Sequence, residues 1–215
     1  MHTLKVLSNV ALIILIINVI LYLIGFSRNG KAYKVFSMYL LSMSIIQIAV
    51  VVLAYKNKNN HFLSTYYLFL QFITLSFLFF QLFKNVNRTK RSIVAYVSSA
   101  VVCGLAIQYL IYPAQYYTFN SVGFFITSML LIVYAVLYLY ELLSQKLPFY
   151  YVTIGIFIYL ISSALIFASA ASLVTFTDVL SQYIWQVNAV LFILYQLLIL
   201  WEWKKQVLPQ IVRQH

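Results

Sequence analysis

The chain has 215 residues, of which 64% are apolar and 8% are charged, against roughly a quarter charged in an ordinary soluble domain. Too little polar surface is available to face water, so a soluble fold is excluded. The net charge of +11 comes from 14 Lys and Arg against 3 Asp and Glu; because the basic residues fall mostly between apolar stretches, the charge reads as a membrane-topology signal rather than a nucleic-acid footprint.

A hydrocarbon core about 30 Å thick takes roughly 20 apolar residues as helix. Stretches of that kind follow one another at about 4–26, 34–55, 62–83, 92–112, 121–143, 148–169 and 181–203, with short polar breaks between them. In lipid every backbone N–H and C=O must be satisfied without water, which makes helices the default. Runs such as Ala11 to Ile17 are apolar on every face and lack the alternation of an outer-membrane barrel strand. The expectation is an all-α, seven-helix transmembrane bundle forming one domain over residues 1–215.

The three prolines, Pro113, Pro148 and Pro209, fall outside the spans or at their ends, as the missing N–H of proline requires. The first stretch is too long for a signal-peptide apolar region and has no Ala-x-Ala site after it, so it reads as a retained span. Orientation follows from the basic residues. Arg28, Lys31, Lys34, Lys84, Arg88, Lys90, Arg91, Lys146, Lys204, Lys205 and Arg213 gather on one side, against Lys5, Lys56 and Lys58 on the other. Positive-inside bias then puts the N-terminus outside and the C-terminus in the cytoplasm of a bacterial inner membrane. Asn87-Arg88-Thr89 matches a glycosylation sequon but falls in a cytoplasmic loop, where it carries no such meaning. The loops are too short for a soluble domain.

Ionisable chemistry is sparse. Glu141 lies near the inner end of span five, Asp178 before span seven, and Glu202 beside Lys204 and Lys205, so no acid is expected at mid-membrane. His2, His61 and His215 sit at ends or in loops, and Cys103 stands alone in span four as a small packing residue, so no metal cluster is available. Span seven has no lysine within it, which excludes a retinal Schiff base. No catalytic residue, cofactor, metal or nucleic-acid partner is expected.

Uncharged polar residues recur at helical spacing. Span three carries Tyr67, Gln71, Thr74 and Gln81 on one stripe, and span seven carries Trp185, Asn188, Phe192 and Tyr195, with Gln182, Gln186 and Gln196 beside them. Span two adds Ser37, Ser44 and Gln47; span five Thr127, Tyr134, Tyr138 and Glu141; span six Tyr159, Ser162 and Ser169; span one Asn18. An amide facing hydrocarbon is costly unless it turns inward and finds a partner, so these stripes should converge. They form either interhelical glue or a polar cavity for a neutral or amphipathic ligand. The candidate lining is Gln71, Thr74, Gln186 and Asn188, with Tyr67 and Trp185. Gln71 and Asn188 are expected at one depth, near ~15 Å at about 1.5 Å per residue, each in the other's neighbourhood.

Two faces of small residues, Ala95, Ser99 and Cys103 in span four and Ala164, Ala168 and Ser172 in span six, predict close helix packing. Tyr109, Tyr112, Tyr116, Tyr117 and Phe119 at the outer end, with Trp201 and Trp203 at the inner end, fit interfacial belts, or a ligand-binding lip in the case of the outer tyrosines. Spans three and seven align without gaps, pairing Gln71 with Gln186, Phe77 with Phe192, Phe80 with Tyr195 and Gln81-Leu82 with Gln196-Leu197. A three-plus-one-plus-three arrangement would make them equivalents, as in small transporters built from parallel repeats. The likeness to PQ-loop proteins stops there, because Pro209-Gln210 lies in the tail.

Asn60 to Lys84 (NHFLSTYYLFLQFITLSFLFFQLFK), Leu147 to Ala170 (LPFYYVTIGIFIYLISSALIFASA) and Tyr183 to Trp203 (YIWQVNAVLFILYQLLILWEW) give the chain a likeness to a family. It resembles a loose, largely uncharacterised group of small seven-span membrane proteins common in Bacteroidetes. The resemblance implies a stand-alone seven-span protein and supplies no site. Together these features lead to the expectation of a non-enzymatic sensor or adaptor in the lipid bilayer, working through a membrane or cytoplasmic signalling partner. A facilitator for a small neutral solute is the alternative.

Overall fold

In the computed structural model the described residues are 2–56, 58–170 and 178–207, with the side chains of 3–56, 58–166 and 183–205. Ala168, Ser169, Ser172, Gln182 and the tail from Pro209 to His215, named in the patterns above, lie outside those side chains. The long helices are α1 His2–Ile24, α2 Lys31–Tyr55, α3 Phe62–Leu82, α4 Arg88–Ile111, α5 Ser121–Ser144, α6 Tyr150–Ala170 and α7 Asp178–Glu202. Among the described residues there is no strand. Six helices are long and apolar enough to cross a membrane, and α6 contributes a shorter apolar stretch, Tyr150–Ile166. The chain is a polytopic helical membrane protein.

Several helices start earlier than the apolar runs predict, α2 at Lys31 and α4 at Arg88. A basic side chain can keep its stem on apolar surface and its charge in the interface, so a membrane helix can begin on such residues. Asparagines set two of the starts. Asn87, part of the disregarded sequon, accepts from the Lys90 N–H at 3.0 Å to cap α4, and Asn120 accepts from the Gly123 N–H at 2.9 Å to cap α5. Pro113 opens a short 3-10 turn, Pro113–Tyr117, after α4, and Pro148 precedes α6, so both prolines fall outside the long helices as expected.

Neighbouring helices pack in a closed order: α1 on α2, α2 on α3, α3 on α5, α5 on α6, α6 on α7, and α7 back on α1. Helix α4 stands outside this ring, packed chiefly on α3. The interior is aromatic and aliphatic, with Leu15, Tyr22, Phe36, Leu40, Phe72, Phe79, Tyr138, Ile156 and Tyr195 all buried. Tyr22 stacks on Tyr33 at 5.1 Å between centroids, and Phe36 meets Phe149 edge-on at 5.6 Å. At Gly155 a Cβ would stand 2.7 Å from the ring of Tyr195, so glycine lets α6 and α7 approach.

The ring ends carrying the basic residues are organised by Glu202, which is 2% exposed. Its Oε1 accepts from the Phe149 N–H at 2.9 Å, and its Oε2 accepts from Tyr151 at 2.7 Å and Val152 at 3.4 Å. A carboxylate at a helix N-terminus satisfies donors that have no intrahelical partner and complements the positive end of the helix dipole. Phe149 has φ 65°, left-handed for a residue with a bulky side chain. That turn is also held by Tyr138, whose hydroxyl donates to the Pro148 carbonyl at 2.8 Å, and by Thr153, whose hydroxyl donates to the Phe149 carbonyl at 2.6 Å. Glu202 therefore serves α6 rather than its sequence neighbours. Lys204 and Lys205 instead stand over the Trp201 ring, at 5.8 and 5.5 Å from its centroid.

Candidate functional site

At the opposite end of the bundle α1, α2, α6 and α7 leave a cavity of about 230 Å³. Ser8, Gln47, Tyr159, Trp185, Asn188 and Phe192 line it, with Leu4, Ala11, Leu12, Val51 and Ala189 completing the wall. Helical spacing brings Trp185, Asn188 and Phe192 to one face of α7, and that face supplies one side of the cavity. The Oδ1 of Asn188 is buried and has no hydrogen-bond partner. A buried acceptor left unpaired is costly, so it provides a position where a donor group would bind favourably. Drug-sized ligands occupy pockets of about 300–1,000 Å³, so a cavity of 230 Å³ suits a smaller molecule.

Below the cavity the interior closes. Tyr159 and Phe192 pack at 5.4 Å, and Tyr159 stacks on Tyr195 at 5.5 Å with ring planes 7° apart. The Tyr195 hydroxyl donates to that of Tyr39 at 3.4 Å, and the side chain of Tyr159 interacts with that of Tyr67. Tyrosines from α2, α3, α6 and α7 thus meet across the ring. Gln196, the residue after Tyr195 in α7, accepts from Asn18 of α1. The polar residues form a vestibule at one end, sealed by a tyrosine floor.

The sequence-derived lining divides over this geometry. Trp185 and Asn188 line the cavity. Tyr67 belongs to the floor and stacks on Phe124 at 6.0 Å. Gln71 is 6% exposed and turned inward, yet it does not line the cavity, and α3 and α7 are not neighbours in the ring. Thr74 satisfies itself, its hydroxyl donating to the Leu70 carbonyl, and it lines a separate apolar groove with Lys34, Val35, Met38 and Phe77. Gln186 is half-buried beside the cavity residues without lining it. Gln47 and Tyr159, noted only as members of polar stripes, and Ser8, which no stripe contained, complete the lining.

Among the described residues no cluster of His, Cys, Asp and Glu could hold a metal ion. At the vestibule end the hydroxyl of Tyr116, in the turn after α4 and outside the spans, donates to that of Tyr66 in α3, and this bond chiefly pushes the Tyr116 hydroxyl pKa up to about 12. Tyr117 meets Tyr116 edge-on at 5.1 Å. Tyr116 packs on Tyr66 of α3, and neither it nor Tyr117 lines the cavity. No protein-family model, no curated protein and no solved structure matches the chain. Fold and site define an integral membrane helical bundle with a one-ended polar cavity.

Proposed function

We propose that the protein is a non-enzymatic seven-span membrane sensor or adaptor, N-terminus outside and C-terminus in the cytoplasm, of the Bacteroidetes seven-span kind. It would take a small neutral ligand in its outer vestibule and work through a partner chain. The observation that carries this reading is the unpaired Asn188 Oδ1 in a cavity that ends on the tyrosine floor. The basic residues gather at the other end of the helices, which under positive-inside bias makes the vestibule external. A ligand seated there would bear on Tyr159, and through its stack on Tyr195 reach the α1–α7 contact.

Cross-linking and co-purification from native membranes test the adaptor role. A specific second chain is expected, and a protein recovered reproducibly alone rejects it. Asn188→Leu should abolish the ligand response while the protein still folds. A facilitator for a small neutral solute is the second reading, favoured by the exclusion of α4 from a ring of two helix triplets. It requires the Tyr39–Tyr195 and Asn18–Gln196 contacts to part. Glycerol or urea flux into proteoliposomes above that of empty vesicles would establish it.

A further inference from the structure

A second cavity lies on the other side of the molecule. Between α3 and α4 runs a groove of about 490 Å³, lined mainly by apolar side chains, among them Ile73, Phe77, Phe80 and Val102. Ala95, Ser99 and Cys103, whose spacing predicts close packing against a helix, line this groove instead. Ser99 and Cys103 are exposed, so none of the described helices covers them. The groove also contains an unsatisfied hydroxyl: Ser76 is 4% exposed, and its Oγ has no hydrogen-bond partner. Ser98 is already committed to the Tyr134 hydroxyl at 3.1 Å.

The groove has a charged mouth. The Arg91 guanidinium carbon stands 4.2 Å from the centroid of Phe80, a groove residue, and the Arg91 Nε is buried without a partner. Lys84, in the short turn after α3, and Arg88, the first residue of α4, are exposed at the same end of the two helices. Of the acids at this end of the bundle, Glu202 is taken up by the N-terminus of α6, and Lys90 holds Glu141 at 2.7 Å, the one ion pair among the described residues. Excess positive charge thus tops an apolar slot. Ser76 lies one helical turn below Phe80, about 6 Å deeper.

The geometry points to an anionic phospholipid site. An acyl chain fills the slot along the small residues of α4, a glycerol-ester carbonyl accepts from the Ser76 hydroxyl, and the phosphodiester sits on Arg91 with Lys84 and Arg88 around it. Charge complementarity selects the occupant. Basic pockets between membrane helices favour anionic headgroups, and a planar guanidinium binds phosphate through paired hydrogen bonds. A second protein helix in the same slot would leave the Arg91 charge unanswered unless it brought an acid to the membrane edge.

The full chain, purified from bilayers of mixed phosphatidylcholine and phosphatidylglycerol, tests this by native mass spectrometry. Phosphatidylglycerol should be retained in preference, and Arg91→Gln should weaken its retention about fivefold, the effect of one surface charge. Ser99→Phe, on the exposed face of α4, should fill the slot and displace the lipid while the melting curve shows a folded protein. Inorganic phosphate should not compete, because the chain supplies much of the binding. Equal retention of both lipids, equal retention by Arg91→Gln, or displacement by inorganic phosphate alone overturns the proposal. So does a dimer that Ser99→Phe dissociates without lipid loss, which would give the groove to a second copy.

Discussion

The Nδ2 of Asn18 in α1 lies 2.9 Å from the backbone carbonyl of Gln196 in α7 and 2.9 Å from its Oε1. This amide contact joins helices far apart in sequence and sits where the ring closes. The neighbouring contacts point the same way, since the Tyr22 hydroxyl donates to the Ile199 carbonyl at 3.4 Å and the Trp203 indole N–H donates to the Leu21 carbonyl at 3.0 Å. Both Asn18 and Gln196 are essentially inaccessible. The Oδ1 of Asn18 has no partner, so the pair is satisfied on one side only.

That asymmetry predicts unequal mutants. Gln196→Leu removes an acceptor and leaves the Asn18 amide buried with only the backbone carbonyl, whereas Asn18→Leu removes the orphaned oxygen along with the donor. Gln196→Leu should be the more destabilising. The double mutant should reveal a coupling of about 0.6 kcal/mol and at most ~1.7 kcal/mol, as for other interhelical bonds in membranes. Denaturant unfolding in detergent micelles measures it, and strict additivity of the two single mutants would refute the contact.

Glu202→Gln keeps the volume of the side chain but replaces one acceptor oxygen with an NH₂ group that cannot serve the α6 N-terminus. A backbone N–H left buried and unpaired costs about 1–3 kcal/mol. The variant should melt below wild type, and hydrogen exchange at Phe149, Tyr151 and Val152 should quicken. Unchanged exchange there would show that the carboxylate does not hold the turn.

At Gly155 two effects oppose each other. Alanine improves helix propensity by about 1 kcal/mol, while the new Cβ would stand 2.7 Å from the Tyr195 ring. Tyr195 cannot swing away, being stacked on Tyr159. Overpacking of this kind costs about 1–3 kcal/mol, so Gly155→Ala should destabilise. Combining it with Tyr195→Leu should reduce the penalty; a more stable single mutant contradicts the close approach.

Orientation has a direct readout. A reporter active only in the cytoplasm should work when fused after His215 and fail when placed in the loop between Pro113 and Asn120. The reverse pattern would invert the bundle, and with it the external position of the vestibule.

The helices were legible because each is a long apolar run, and Asn87 and Asn120 carry the side chains that helix starts use. Their arrangement was not, since helices that are apolar on every face give no direction for packing. Polar residues partly restored that direction. Asn18, Ser37, Ser44, Gln71, Thr127 and Gln196 are all buried, as stripes turning inward require. Thr74 lines a groove apart from that interior, where its hydroxyl needs no partner from another helix because it bonds its own helix backbone. The role of Glu202 was hidden for a different reason. Its partners are backbone N–H groups about fifty residues away, and backbone donors leave no mark in a pattern of side chains. The tyrosine floor was hidden likewise: Tyr39 falls in an apolar stretch, and aromatic residues read first as belts or core.

Helix α7 also bears on how the molecule is made. It touches both α1 and α6, and it carries Gln196 and Glu202. During synthesis the amide of Asn18 and the first N–H groups of α6 enter the bilayer before the atoms that will satisfy them exist. A partly made bundle therefore has an open seam between α1 and α6, with unpaired polar groups along it. The seam is an exposed feature by which a membrane chaperone or protease could distinguish an unfinished chain from a finished one, and the arrival of α7 removes it.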